Sequence, residues 1–165
     1  MILSAFTLFH VAINLAGIGS GLVVLYGLLT QKRFDGWTKL FLWTTVATSA
    51  TGFLFPVHKF MPGHAVGIIS LVVLTLAILA RYRYHWRRTY VITGMIALYL
   101  NVFVLVVQLF QKVPGLKELA PTQSEPPFQM AQLVTPLIFA TLTTWAAIKF
   151  KGDEPAKVVA AAGGR

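Results

Sequence analysis

The chain has 165 residues, 56% hydrophobic and 12% charged, with a mean hydropathy of +0.72 and a formal net charge of +9. Soluble domains carry about 25% charged residues. This composition therefore excludes an ordinary water-covered fold and points to the bilayer as solvent. With no cysteine, disulfides, thiolate metal sites and iron–sulfur clusters are excluded as well.

In chain order, the hydropathy pattern predicts five transmembrane helices. The first span covers 3–29. Its start, MILSAF, has no basic n-region and the apolar run is too long for a cleaved signal, so it reads as a retained span. The second covers 37–57, with Asp35 and Gly36 as its starting turn. The third covers 64–82. The fourth covers 89–111, with Thr89 as candidate N-cap. The fifth covers 127–150, opened by Ser124-Glu125-Pro126-Pro127, where proline suits a first turn. Each run is near the ~20 residues that a ~30 Å hydrocarbon core requires. None alternates as barrel strands do, so the expected fold is an all-α membrane bundle. Residues 1–150 form one domain and 151–165 a short flexible cytoplasmic tail. Between spans four and five, GLKELA has the composition for one helical turn lying on the surface.

The cations set the orientation. Lys32, Arg33 and Lys39 flank the first loop, and Arg81, Arg83, Arg87 and Arg88 fill the third. Lys149, Lys151, Lys157 and Arg165 close the chain. Only Lys59, Lys112 and Lys117 fall in the other loops. Positive residues stay cytoplasmic, so the N-terminus is expected outside and the C-terminus inside. The same distribution explains the net charge without nucleic acid. Trp37, Trp86 and Trp145, with Tyr82 and Tyr84, are placed as an inner aromatic belt.

Polar and small residues mark faces turned away from lipid. In span one they are His10, Asn14, Gly17 and Gly21, with Leu28 on the same stripe. In span four they are Tyr90, Gly94, Ala97, Asn101, Leu105 and Gln108. In span five they are Gln129, Gln132, Pro136, Ala140 and Thr143. Span two is dense in hydroxyls from Thr44 to Thr51, which can bond back to their own helix. The plain reading of these stripes is helix–helix packing.

The depth of the spans gathers His10, His58 and His64 at the outer end, with Gln108, Gln111, Gln129 and Gln132. Neutral imidazole is the commonest protein metal ligand. His10 and His64, on separate regular helices, are the candidate axial ligands of a haem b, with Asn14 one turn below His10 to orient it. His10, His58 and His64 form the alternative candidate metal set, with Glu125 the one carboxylate near them. Electron transfer is the activity such a site would serve. The plainer role for these imidazoles is bonding to headgroups, water or loop carbonyls. No span contains Asp or Glu, which disfavours proton-coupled transport, and no catalytic set assembles. The other class of function is a non-catalytic accessory subunit or assembly factor of a larger membrane complex, or a homo-oligomer.

The run FPVHKFMPGHAVGIISL, with ALYLNVFVLVVQLFQKVP and LAPTQSEPPF, resembles a group of small polytopic bacterial membrane proteins without a known activity. The resemblance implies the bacterial inner membrane and carries over no functional residue.

Overall fold

A computed structural model describes residues 2–54 and 62–150 of the chain. Every regular element among them is helical. The order is α1 (Ile2–Leu29), α2 (Asp35–Gly52), α3 (Pro62–Ile78), α4 (Arg87–Lys112), α5 (Pro114–Leu119) and α6 (Pro126–Lys149). A π-helical turn, Leu79–Arg83, prolongs α3. The surface turn expected at GLKELA is α5.

Four of these helices are long and apolar enough to cross a membrane: α1, α3 with its π turn, α4 and α6. The protein is a multi-pass membrane bundle on that ground. Helix α2 falls short of the same standard, because Asp35, Lys39 and its threonines and serine dilute the apolar residues.

In the bundle α1 packs most extensively against α2, α2 against α3, and α3 against α4. Helix α1 also meets α4, and α6 lies against α4 and more lightly against α1. Helices α1 and α3 do not pack as a pair. Lipid is as apolar as leucine, so burial alone does not draw these helices together; close packing and hydrogen bonds do. Two glycines provide the closest approach. A β-carbon on Gly21 would stand 2.5 Å from Leu98 Cδ1 on α4 and 2.9 Å from Phe41 Cδ2 on α2. One on Gly17 would stand 3.2 Å from Thr44 Oγ1, 3.4 Å from Thr45 Oγ1 and 3.6 Å from Asn101 Nδ2. The buried hydrophobic cluster forms around this contact, with Val24, Leu25, Phe41, Leu74, Val91 and Leu98 at its centre.

One helix start departs from expectation. Helix α4 starts at Arg87 with Trp86 at its N-cap, so Thr89 lies inside the first turn and caps nothing. Thr89 is displaced because the chain turns so tightly after α3. The N–H of Tyr84 donates to the Leu79 carbonyl and that of Trp86 to the Ala80 carbonyl, both at 2.9 Å. His85 takes the left-handed conformation, φ 54°, that this closure needs. Gln31 does the same after α1, at φ 58°, where Lys32 N–H reaches back to the Gly27 carbonyl.

Helix α6 is also rotated from the expected face. Phe139 and Ala146 are its buried residues, whereas Gln129 and Ala140 are exposed. Phe139 wins the contact by size: its ring meets the Tyr99 ring of α4 at 5.8 Å, and Phe128 meets Phe110 edge-on at 5.4 Å.

The glycine contact can be checked directly. Gly21→Leu forces Leu98 and Phe41 to move and should cost about 1–3 kcal/mol of stability, as overpacking does. Gly19→Leu, where no heavy atom lies within 4 Å of the new β-carbon, should leave it unchanged. Thermal unfolding in detergent separates the two; equal melting temperatures would remove the close-approach account.

Candidate functional site

Polar side chains converge along a seam where α1, α2 and α4 meet. At its middle, beside Gly17, Asn101 Nδ2 of α4 donates to Thr45 Oγ1 of α2 at 3.1 Å. Thr45 donates onward to the Phe41 carbonyl at 2.7 Å. Asn101 and Thr45 are both buried. A mid-bilayer amide has no water to bond, so a partner on another helix satisfies it. Thr44, Thr51 and Ser20 bond back to carbonyls one turn earlier in their own helices.

The seam ends at His10. Its Nδ1 lies 2.8 Å from Thr51 Oγ1. The Thr51 hydroxyl has one proton, and it goes to the Ala47 carbonyl at 2.7 Å. Thr51 is therefore the acceptor and the neutral imidazole donates from Nδ1, which leaves the lone pair on Nε2. Gly52 borders the same ring, 3.9 Å from Cε1 to where its β-carbon would be. Asn14, expected to orient His10, is half-buried one turn along α1; the orienting hydrogen bond comes from Thr51 instead. The signal for that partner was the antiparallel register of α1 and α2, in which 17 faces 44 and 45, 21 faces 41, and 10 faces 51.

His64 stands in the first turns of α3, with its ring 5.8 Å from that of Phe53 just past the end of α2. His10 and His64 thus meet the same end of α2 through different residues, from helices that are not a packed pair. His58 lies outside the described residues. Among the described residues there is no group of three or more His, Cys, Asp or Glu able to hold a metal ion.

The glutamines expected near these histidines divide. Gln111 Nε2 donates to Gln123 Oε1 at 3.3 Å, and Gln129 Nε2 to the Ser124 carbonyl at 2.7 Å, so both fasten the α5–α6 connection. Gln108 Oε1 and both amide atoms of Gln132 are buried without a partner, as is Thr48 Oγ1. Glu125 is also committed locally. It accepts from Thr122 N at 3.1 Å, Thr122 Oγ1 at 2.8 Å and Ser124 N at 3.0 Å. Desolvation pushes its carboxyl upward, but these donated hydrogen bonds outweigh that and hold it below the usual carboxylate range.

The opposite end of the bundle is basic. Lys32, Arg33 and Lys39 of the first turn and helix start lie at the same end as Arg81, Arg83, Arg87, Arg88 and Lys149. Asp35 is the one carboxylate described there. It pairs with Arg81, whose guanidinium also lies 5.1 Å from the Tyr90 ring centre, and Arg33 stands 3.9 Å away. The aromatic residues expected as a belt flank this end, each close to half exposed: Trp37, Tyr82, Tyr84, Trp86 and Trp145. On the flank between α4 and α6 lies a mostly apolar groove of about 740 Å³, running from Arg88 to Tyr99 on α4 and from Pro136 to Ile148 on α6.

Comparison with known proteins finds no matching family, no matching curated protein and no matching solved structure.

Two measurements test this geometry. Thr45→Ala and Asn101→Ala should be non-additive, with a coupling of about 0.6–1.7 kcal/mol, the range for hydrogen bonds between membrane helices. Additive losses would mean the bond contributes nothing. For Glu125, the folded carboxyl titrates below its unfolded value. The order it gives the loop is therefore complete above the unfolded value and lost as pH falls through the lowered folded one. Amide resonances of Thr122 and Ser124 should shift with a midpoint below the usual carboxylate range, and the shift should vanish in Glu125→Gln.

Proposed function

We propose that this protein is a non-catalytic accessory subunit or assembly factor of a larger complex in the bacterial inner membrane. The observation that carries this reading is how the polar side chains are used. His10 joins α1 to α2, Asn101 joins α4 to α2, and Gln111, Gln129 and Glu125 tie down the connection into α6. These groups, which chemistry would recruit, hold helices and loops in place, whereas Gln108 and Gln132 do not. Helix α6 meanwhile buries little of itself and turns Leu133, Leu137, Ile138, Trp145 and Ile148 outward, an apolar flank that suits lipid and the helices of another subunit alike.

We include α2 as a fifth span in this reading. At 18 residues it is about 27 Å long, near the thickness of the hydrocarbon core, and it runs antiparallel between α1 and α3. Placing the basic end in the cytoplasm by the positive-inside rule gives an outer N-terminus and an inner C-terminus. Cysteine accessibility decides the topology: a cysteine at Lys117 should react with an impermeant reagent in intact cells and one at Arg83 should not.

The accessory role is tested by mild-detergent extraction at native expression, with blue-native electrophoresis and crosslinking. A defined heteromeric band at fixed stoichiometry is expected. A protein that migrates alone, or only with itself, overturns the reading.

One observation favours a second reading, a haem b or metal site serving electron transfer at the outer end. The Thr51 hydrogen bond fixes His10 in the tautomer whose Nε2 can ligate, as the orienting partners of metal-bound histidines do. His64, with His58 in the candidate metal set, would supply the other ligands. The purified protein should then show a Soret band or bound metal that His10→Ala removes and Thr51→Val weakens. A colourless, metal-free preparation excludes it.

A further inference from the structure

The groove between α4 and α6 exists because of what α6 presents to it. Phe139 and Ala146 hold α6 against α4. Between and beside them, Ala140, Thr143, Thr144 and Ala147 of α6 leave space opposite Ile92 and Ile96 of α4, with Phe139 and Ile148 also lining it. The two helices are therefore held together without closing, and a channel of about 740 Å³ stays open along the flank. At hydrocarbon depth such a space holds water only at a cost, because its walls are mostly apolar and the Thr144 hydroxyl already donates to the Ala140 carbonyl. An acyl chain fills it at no such cost.

The dimensions and the charge name the occupant. Arg88 and Tyr99 are eleven residues apart on one helix, about 16 Å along its axis. That is close to the ~15 Å depth of one hydrocarbon leaflet. Arg88 marks the groove's interfacial mouth, on the basic end of the bundle. Asp35, the carboxylate described at that end, is engaged by Arg81, and among the described residues no carboxylate pairs with Arg88. A guanidinium at the interface, over an apolar channel one leaflet deep, fits a phosphate with an acyl chain beneath it.

We propose that the α4–α6 groove is a binding site for one anionic phospholipid, with its phosphate on Arg88 and one acyl chain lying along the groove to Tyr99. The site is independent of the accessory role: it requires only the membrane bundle, and it stands or falls whether or not a partner subunit exists. An anionic lipid on this flank would add to the contact between α4 and α6.

The test is native mass spectrometry of the full chain, delipidated in detergent and titrated with phosphatidylglycerol or phosphatidylcholine of identical chains. One phosphatidylglycerol should bind in preference to phosphatidylcholine. Arg88→Gln should weaken phosphatidylglycerol about fivefold and leave phosphatidylcholine unchanged, since one interfacial cation contributes about that factor. Ala140→Trp, which fills the groove from an exposed position, should weaken both lipids. Arg83→Gln, on the same end but not lining the groove, should change neither. Equal binding of the two lipids overturns the proposal. So does an equal loss in Arg83→Gln, which would show diffuse attraction to the basic end. Unchanged lipid binding in Ala140→Trp would likewise overturn it.

Discussion

Helix α1 reaches α2 and α4 across a gap too narrow for a β-carbon, and most of the bundle's order follows from that. In water, burial would draw apolar helices together whatever their detailed shape. In lipid, contacts must be better than those lipid itself offers. Gly21 lets Leu98 and Phe41 press against the α1 backbone. One turn away, Gly17 leaves just enough room for Thr45 and Asn101 to bond beside it. Continued two turns further, the same register carries His10 to Thr51. A bulky residue at either glycine would therefore disturb not one contact but a ladder of them.

The faces of α1 and α4 were legible in the residues, because a polar or glycine stripe at helical period has one use in a bilayer. Gly17, Gly21, Tyr90, Gly94, Ala97 and Asn101 are all buried, as their spacing indicates. Helix α6 misled for an instructive reason. Its small residues resemble a contact face, but the residues buried against the bundle are Phe139 and Ala146 while Ala140 is exposed, so the packed face lies to one side of the expected stripe. The candidate ligands were legible only by depth. His10, His64 and the glutamines do sit toward one end, but depth says nothing about which helices adjoin. That depends on packing around the bundle axis, where α2 stands next to both α1 and α3. The tight, left-handed turns at Gln31 and His85 carry no glycine and gave no signal.

The two ends of the molecule differ in kind. Among the described residues, one sets Lys112 and Lys117 against Glu118 and Glu125, so its charges offset one another. The other carries many cations and a single described carboxylate, so its fields extend over the lipid surface and fade within a Debye length of about 8 Å at physiological ionic strength. A bundle with these ends should sense lipid composition at one face and be indifferent to it at the other.

The Asp35–Arg81 pair bears on how the chain is built during synthesis. The two residues are 46 positions apart, so when α2 leaves the ribosome its acidic first residue has Lys32, Arg33 and Lys39 near it in sequence but not yet Arg81. Helix α2 is also the least apolar of the long helices, and its threonines await Asn101, still further along. Its settled place depends on neighbours made both before and after it. The contacts that hold α2 thus come from helices on both sides of it in the sequence, α1 before it and α3 and α4 after.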